Sequence, residues 1–573
     1  MNPRTMKKDQ HKMGYDHVIP EIEDWPIYKL SQDRRQFIED IDRFITERFM
    51  RLPTPQITDI LSKTIYLERI RMKEEPWKVD PPNERQFWRK IRHQLLGQSL
   101  DRSEEEARRT NEELLQKIVH RYSEEIVGTF QKSTFLFARR FLTLFFTRLL
   151  NTAASRNWRR FWGSKYRLQD RLLVKGQVET IRALMKQGTV VIVPTHFSNL
   201  DSILIGYALD SFAGLPSFSY GAGLNLYNTG YTAYFMNRLG AYRVDRRKKN
   251  PIYLETLKGM SNLSIQRGVN SLFFPGGTRS RSGALEDKLK LGLLSTTVEA
   301  QRAIFQDGRE EKVFICPLIL GYHFVLEAQF LIDQHLKRMG KERYIQSRDE
   351  FYSFRKLTKF IWQFFSQENE ITLSFGQPMD VLGNYVNAEG RSFDQYGNEI
   401  ELKEYFYTNG RVEKNLQRES EYTKRLGERI VERYFKDNIV MTSHLVAFAA
   451  FQMVKNQNSR LDLYGILRLP ADEYRFPMDT MRTVVGQLRR CLIDRAEAGD
   501  LKLSEQIMYD VDQLIEDGIS RMGTYHIAKP LKFNKKRQII SESFKVLYFY
   551  HNRLMGYGLE QEVQWKQFAL EMV

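Results

Sequence analysis

Apolar residues return at helical spacing through the first part of the chain. In residues 36–52, QFIEDIDRFITERFMRL, an apolar side chain recurs every three or four positions, as on the buried face of an amphipathic helix. Residues 101–122 begin with a run of acidic side chains, which are favourable in the first turn of a helix. These patterns predict a helical N-terminal region over residues 1–125.

The hydrophobic pattern changes in the middle of the chain. Short apolar runs occur at residues 190–194 (VVIVP), 271–275 (SLFFP), 313–320 (VFICPLIL) and 371–376 (ITLSFG). Segments of helical periodicity lie between them, such as residues 253–268. Continuous apolar strands that alternate with helices are typical of a sheet covered on both faces. We therefore predict an α/β domain with a mainly parallel sheet over residues 176–383.

Helical patterns resume in the last part of the chain. Residues 384–411 are polar and rich in Gly and Asn, which predicts a linker or excursion. Residues 412–573 are then predicted to form a C-terminal helical domain. Its most apolar stretch, residues 439–454, contains His444 and is too short to span a bilayer, so we expect a buried core helix.

A different kind of helix is predicted between the first two regions, in residues 126–175. From 132 to 151 a Phe- and Leu-rich cylinder carries one polar stripe, which consists of Arg139, Arg140, Thr143, Thr147 and Asn151. Residues 157–167, NWRRFWGSKYR, then mix aromatic and basic side chains. This combination suits the headgroup layer of an anionic membrane. A helix that docks inside a helical domain has the same pattern, so both interpretations stay open.

Composition narrows the class of protein. Hydrophobic residues make up 42% of the chain, which is too much for a disordered protein. The two cysteines, Cys316 and Cys491, lie far apart in sequence without metal-ligand spacing, so they suggest neither a disulfide framework nor a zinc site. The formal charge of +17 favours an anionic partner: a nucleic acid, an anionic bilayer or a phosphorylated small molecule. No recognised nucleic-acid motif accompanies the charge.

One histidine lies where an α/β sheet usually binds its ligands. In PTHFSNLDS a predicted strand ends at Pro194, His196 follows, and Asp201 comes five residues later near the start of a predicted helix. A carboxylate beside an imidazole orients the ring, so that the ring can accept a hydroxyl proton as the oxygen attacks a carbonyl carbon. The spacing alone is weak evidence, because His11 and Asp16 share it within a polar tail.

The sequence FFPGGTRSRSG, residues 273–283, supplies a candidate phosphate site. A strand leads into two glycines, and Arg279 and Arg281 follow. Backbone N–H groups in such a turn and planar guanidinium groups together bind phosphate oxygens. A surface turn with solvated charges is the alternative interpretation.

The order of these blocks resembles the glycerolipid acyltransferase superfamily, and within it the bacterial membrane-associated glycerol-3-phosphate acyltransferases. His196 and Asp201 match the catalytic His-x-x-x-x-Asp pattern of that family. Residues 240–246 are similar to its Gly-x-x-x-x-x-Arg block, residues 275–280 to its Pro-Glu-Gly-Thr-Arg-Ser block, and residues 316–322 to its fourth block, which contains Pro317. The resemblance implies that acceptor and phosphate are bound by Arg246, Gly277, Thr278, Arg279, Arg281 and Lys288.

Two positions depart from the family pattern. Gly276 stands where the third block has Glu, and Asp245 stands where a second Arg is common in the second block. The first change removes a hydrogen-bond acceptor for acceptor hydroxyls, and Glu286 and Asp287 are candidates to replace it. The second change makes the expected phosphate site less positive.

The resemblance implies transfer of a fatty acyl group from acyl-coenzyme A or acyl carrier protein to the sn-1 hydroxyl of glycerol 3-phosphate, with no metal or redox cofactor. It also implies a peripheral or monotopic location at the cytoplasmic face of the cell membrane. An acyltransferase for lysophosphatidate or another lyso-acceptor is the first alternative. A catalytically silent lipid- or carrier-binding protein, suggested by Gly276, is the second.

Overall fold

The computed structural model describes residues 14–77, 80–97, 103–153, 172–227, 230–339, 370–522 and 526–565. The predicted aromatic and basic segment at 157–167 lies outside these ranges. The helices are α1 Pro26–Gln32, α2 Arg34–Met50, α3 Thr54–Glu74, α4 Glu84–Leu96, α5 Glu104–Ile126, α6 Lys132–Ala153, α7 Val178–Leu184, α8 Asp201–Ser211, α9 Gly230–Met236, α10 Pro251–Gln266, α11 Leu291–Gln306, α12 Ala328–Arg338, α13 Leu416–Lys436, α14 Thr442–Gln457, α15 Leu463–Ile466, α16 Met478–Glu497, α17 Val511–Met522 and α18 Phe544–His551.

The strands fall into one large sheet and several small ones. The large sheet contains β1 Leu172–Gly176, β2 Gly188–Pro194, β3 Ser219–Gly223, β4 Ala241–Val244, β5 Ser271–Leu272, β6 Lys312–Tyr322 and β7 Ile371–Phe375. The small sheets contain β8 Tyr385–Val386, β9 Ser392–Phe393, β10 Glu399–Ile400, β11 Tyr407–Thr408, β12 Arg411–Val412, β13 Ile439–Val440, β14 Arg475–Phe476, β15 Lys502–Leu503, β16 Lys532–Phe533 and β17 Ile539–Ile540.

The seven-stranded sheet confirms the predicted α/β fold class. Its strand order is β1-β7-β6-β2-β5-β3-β4, and every neighbouring pair is parallel except β6 and β7. In β2 and β6 nearly every residue is buried, because helices cover both faces of the sheet and leave no polar side to the strands. The sheet thus brings the carboxyl ends of β2, β4, β5 and β6 to one edge.

Three strands of this sheet have no clear signal in the sequence. The residues of β3 are SYGAG, and β4 has only four residues. Strand β1 begins inside the segment predicted as 126–175, ends one residue beyond it and pairs with β7 along all five of its residues. These strands form because long-range pairing satisfies their backbone groups, and periodicity within a short segment does not encode that pairing.

The N-terminal helices pack against α10 and share one core with it. Phe37, Ile41 and Tyr122 are buried there together with Tyr253 of α10. Asp80 joins this region to the sheet edge, because its Oδ1 accepts a hydrogen bond at 2.5 Å from Arg247, which follows β4. The N-terminal region therefore braces the segment that contains Arg246.

The C-terminal helices share the core of the large sheet. Helix α14, which covers most of the predicted buried stretch, lies between α17 and α18, and its residues from Thr442 to Val454 are all buried. Residues near the end of α18 contact the 273–283 loop: the side-chain amide of Asn552 donates to the carbonyl of Ser282 at 2.9 Å. The 384–411 segment forms the three-stranded sheet β10-β9-β8 and begins the β11–β12 hairpin.

Helix α6 turns Arg139 and Thr143 of the predicted polar stripe toward the protein, whereas Arg140 and several apolar residues are exposed. The side chains of Thr147 and Asn151 lie outside the described part of this helix. Arg139 forms an ion pair with Asp210 of α8, and Thr143 accepts a hydrogen bond from Tyr207 of α8 at 3.3 Å. Phe137, Phe141 and Leu144 are exposed, with Phe137 58% accessible. Among the described residues, no helix combines the length and apolar character needed to cross a bilayer.

Substitution of Gly283 tests the contact between the site loop and α18. Gly283 has φ of +87°, and a Cβ there would lie 2.1 Å from the carbonyl oxygen of Phe549. We expect Gly283→Ala to lower the free energy of unfolding by at least about 1–2 kcal/mol, since the left-handed conformation alone disfavours alanine by that amount. Gly268→Ala is the matched control, because Gly268 also has a positive φ, of +76°, and nothing lies within 4 Å of its Cβ position. Equal urea midpoints for the two variants would contradict the contact.

Candidate active site

Four segments meet at the carboxyl edge of the large sheet. His196 follows β2, the 273–283 loop follows β5, Arg246 follows β4, and Tyr322 ends β6. Two backbone bonds hold the first two segments together: Ser280 N–H donates to the carbonyl of His196 at 2.7 Å, and Phe273 N–H donates to the carbonyl of Ile192 at 3.3 Å. The predicted histidine and the predicted phosphate loop are therefore neighbours.

His196 and Asp201 form a hydrogen-bonded pair. The Nδ1 atom of His196 lies 2.7 Å from Oδ2 of Asp201, and the side chains are 17% and 0% exposed, respectively. The imidazole also stacks on Phe274 of the neighbouring loop, with ring centroids 4.1 Å apart. Asp201 accepts the proton of Nδ1, so the neutral ring presents the lone pair of Nε2. Within the described ranges, no protein atom is hydrogen-bonded to Nε2.

Asp201 is held by more than the histidine. Its Oδ2 also accepts the backbone N–H groups of Phe197 at 2.7 Å and Ser198 at 2.9 Å, while Oδ1 accepts the Tyr322 hydroxyl at 2.5 Å. Burial, followed by the charge of Asp201, holds the pKa of Tyr322 well above its ordinary value, so the phenol keeps its proton and donates. Sequence reasoning missed Tyr322, which ends the fourth block.

Glu286 occupies the space next to Gly276. Its Oε1 accepts the backbone N–H of His196 at 2.9 Å, and a Cβ on Gly276 would lie 3.0 Å from Cγ of Glu286. Its Oε2 is buried and has no hydrogen-bond partner among the described residues. Burial raises the pKa of this carboxyl to about 7.

Several guanidinium groups lie close together beside the His196–Asp201 pair, the dyad of this site. Burial, and then the positive charges of Arg338, Arg279 and Arg246, lower the pKa of Arg281. Nε of Arg281 donates to Gln334 at 3.0 Å. Arg338 ends α12 and was not foreseen, because nothing in the sequence of that helix marks it. A cluster of like charges, one of them partly buried, favours binding of an anion.

Buried Glu327 connects this cluster to the histidine loop. Its carboxylate accepts the N–H of Asn199 at 3.0 Å and the hydroxyl of Ser198 at 3.1 Å. Arg279 lies 3.4 Å from the same carboxylate. Arg279 thus has a structural partner in addition to its predicted part in phosphate binding, and Glu327 is a second residue that sequence reasoning missed.

The remaining predicted residues differ in position. Gly277 adopts φ of +75°, and the side chain of Lys290 covers it, with Nζ 2.7 Å from its Cβ position. Thr278 follows in the same bend, and Lys288 is exposed. Pro317 is buried inside β6, where its carbonyl accepts the N–H of Gly376 at 2.8 Å. Pro317 therefore contributes to the sheet, and Lys290 lies closer to the glycine turn than the sequence suggested.

Asp245 does not place an unbalanced negative charge at the site. Arg247 donates to Oδ2 of Asp245 from Nη2 at 2.7 Å and to Oδ1 from Nε at 3.0 Å. The same arginine also binds Asp80. Arg247 neutralises the carboxylate of Asp245. The negative charge at position 245 therefore reduces the positive charge of the site less than the sequence suggests.

A comparison with protein families matches the region that contains this site. Residues 175–321 match the family model described as Acyltransferase. The chain carries an acyltransferase domain. Within it lie the sheet strands β2 to β5, most of β6, and the His196–Asp201 pair.

Curated relatives agree with this domain. The chain is 30% identical over 326 residues to a glycerol-3-phosphate acyltransferase of Aeromonas hydrophila subsp. hydrophila, a match that covers 55% of this chain and 35% of that protein. It is 26% identical over 354 residues to one of Pseudomonas fluorescens, covering 60% of this chain and 38% of the relative. The chain thus spans little more than a third of the length of these relatives. These matches confirm the predicted relationship to the glycerolipid acyltransferases.

Residues beyond the matched region complete the surroundings of the His196–Asp201 pair. Arg553, between α18 and the end of the chain, is buried, and its guanidinium lies 4.3 Å from the ring centroid of Phe197. It donates to the carbonyl of Leu320 at 2.7 Å and to Asn438 at 2.9 Å. Burial lowers its pKa to about 10, so Arg553 remains a cation at neutral pH. Its positive charge offsets the buried acids near His196.

The raised pKa of Glu286 predicts a stability that depends on pH. Between its ordinary value of 4.5 and about 7, the folded protein keeps a proton that the unfolded chain has released. This carboxyl therefore lowers the free energy of unfolding progressively as the pH rises through that window. We expect Glu286→Gln to be more stable than the wild type at pH 8, by at most about 3 kcal/mol.

The gain should shrink as the pH falls toward 5, because the wild-type carboxyl is then protonated in the folded state. Urea unfolding of both proteins at several pH values measures the difference, and Asp287→Asn at the exposed neighbouring position is the control. A Glu286→Gln protein that is less stable than the wild type at every pH would contradict the assignment.

Proposed function

We propose that this protein transfers a fatty acyl group from a thioester to the sn-1 hydroxyl of glycerol 3-phosphate, with His196 as the general base. The observation that carries the proposal is the hydrogen-bonded His196–Asp201 pair beside a cluster of guanidinium groups at one edge of the sheet. The names of the curated relatives support the choice of acceptor.

In the proposed reaction, Nε2 of His196 removes the proton of the acceptor hydroxyl as its oxygen attacks the thioester carbonyl carbon. The tetrahedral intermediate then collapses, the carbon–sulfur bond breaks and an ester remains. The imidazolium returns its proton to the leaving thiolate, so the histidine ends as it began. Asp201 keeps the ring oriented and stabilises its positive charge in between.

The acceptor phosphate binds to the basic cluster formed by Arg246, Arg279, Arg281 and Arg338. A phosphate bound there keeps the glycerol hydroxyls of the same molecule close to His196. Positioning of this kind supplies much of the rate in bimolecular reactions. The acyl donor is a thioester of coenzyme A or of an acyl carrier protein, both of which are anionic and suit the formal charge of +17.

We place the protein at the cytoplasmic face of the cell membrane, with the exposed side of α6 in the headgroup layer. The exposed side chains Phe137, Phe141 and Leu144 of α6 form an apolar surface, in which the rings of Phe137 and Phe141 stack with centroids 6.3 Å apart. Exposed apolar patches commonly mark sites of interaction. The lipid product has apolar acyl chains. A membrane that contains it is therefore a chemically matching partner for the apolar surface of α6.

Release of coenzyme A tests the reaction. With palmitoyl-coenzyme A and glycerol 3-phosphate, we expect acceptor-dependent thiol release that falls by about 10²–10⁴-fold in His196→Ala, because the general base is removed. His93→Ala, at an exposed position of α4, is the control and should retain the wild-type rate. Release that depends on 1-acylglycerol 3-phosphate but not on glycerol 3-phosphate would overturn the acceptor, and equal rates in both histidine variants would overturn the mechanism.

Binding to vesicles tests the location. The double variant Phe137→Ser/Phe141→Ser should partition at least about ten-fold less into vesicles of phosphatidylglycerol and phosphatidylethanolamine, since burying one such side chain contributes roughly 1.5–3 kcal/mol. The control is Tyr396→Ser/Leu416→Ser, which removes two other exposed apolar side chains. Identical co-sedimentation of the two double variants would rule out this surface of α6.

A further inference from the structure

The space next to Gly276, beside His196, is filled by the side chain of Glu286. Gly276 has no side chain, and the three described atoms nearest to its Cβ position outside its chain neighbours are Cγ, Oε1 and Cδ of Glu286. The nearest of them lies at 3.0 Å and the carboxylate oxygen at 3.3 Å. The glutamate side chain therefore enters the volume into which a side chain at position 276 would project.

The two oxygens of this carboxylate have different surroundings. Oε1 accepts the backbone N–H of His196 at 2.9 Å, which places the carboxylate next to the dyad. Oε2 is buried and has no partner among the described residues. A buried acceptor without a donor is unfavourable in the protein alone, and a ligand hydroxyl would supply the missing donor.

We propose that Glu286 binds a hydroxyl group of the acceptor substrate through Oε2, in the place that the side chain of residue 276 leaves vacant. This inference rests on the proposed function, because it names the residue that recognises the glycerol part of the acceptor at the same site. The guanidinium cluster recognises the phosphate part, so the two ends of one polyol phosphate are bound by groups of opposite charge.

The charges around Glu286 fit this role. Arg553 lowers the pKa of the carboxyl against the effect of burial, while Asp201 raises it. The carboxylate lies beside the backbone of His196, whose N–H donates to Oε1 at 2.9 Å. Glu286 therefore orients a hydroxyl without competing for the phosphate, which the arginines attract.

Binding measurements separate the hydroxyl contact from the phosphate contact. Titration calorimetry with glycerol 3-phosphate and, separately, with inorganic phosphate is performed on the wild type and on Glu286→Gln. The amide of glutamine still accepts the N–H of His196, but its NH₂ group cannot accept a hydroxyl proton. We expect the affinity for glycerol 3-phosphate to fall about ten- to hundred-fold, while the affinity for phosphate is unchanged.

A variant with the carboxylate at position 276 instead of position 286 provides a second, independent test. In Gly276→Glu/Glu286→Ala, alanine removes the three atoms that crowd the Cβ position of residue 276, so the new glutamate has room. We expect this double variant to recover at least part of the glycerol 3-phosphate affinity and of kcat/KM that Glu286→Ala loses. Asp287→Ala, at the exposed neighbouring position, should behave as the wild type.

The results distinguish this inference from the proposed function. Wild-type affinity in Glu286→Gln, an equal loss for glycerol 3-phosphate and phosphate, or no recovery in the double variant each overturns the role of Glu286. Those outcomes leave the His196-dependent thiol release of the wild type intact. A wild type that binds phosphate but neither binds nor acylates glycerol 3-phosphate overturns both proposals together.

Discussion

The site depends on the buried carboxylate of Asp201. A fully buried charge is unfavourable unless hydrogen bonds and nearby positive charge compensate it, and Asp201 accepts four hydrogen bonds, from His196, Phe197, Ser198 and Tyr322. Its place at the start of α8 adds the favourable field of a helix N-terminus. The same hydrogen bonds hold the loop after β2 in a tight turn. The interactions that compensate the charge of Asp201 therefore also orient the imidazole of His196.

Charge compensation also explains why the surrounding regions belong to the site. Glu286 and Glu327 bring two further carboxylates close to the dyad, and Arg279 and Arg553 bring two guanidinium groups. Arg553 comes from the C-terminal helical region, whereas the matched domain ends at residue 321. The C-terminal region therefore does more than cover the sheet, because it contributes Arg553, the buried cation next to these carboxylates.

The large elements and the order of the blocks could be predicted from the sequence. Strands β2 and β6 are buried on both faces and are read directly as continuous apolar runs, and α14 is recognisable by its composition. Strands β3 and β4 were not predictable, because their short sequences gain stability from neighbouring strands. At the site, His196, Asp201, Arg279 and Arg281 are predictable from their place after buried strands, and Arg246 from the family resemblance, whereas Tyr322, Glu327 and Arg338 carry no signal that separates them from ordinary strand and helix residues.

The chain itself carries the chemical groups of the site: a histidine with a carboxylate five residues later, a glycine turn with two arginines, and an α/β pattern that directs strand ends to one edge. The partners and the orientation of these groups follow from the three-dimensional packing of the chain. Packing pairs Asp245 with Arg247, places Pro317 inside the sheet, turns Arg139 and Thr143 of α6 toward α8 and sets Glu286 against Gly276. The physical reason is that hydrogen bonds and charge interactions act over a few ångströms in space, between residues whose separation along the chain gives no measure of that distance.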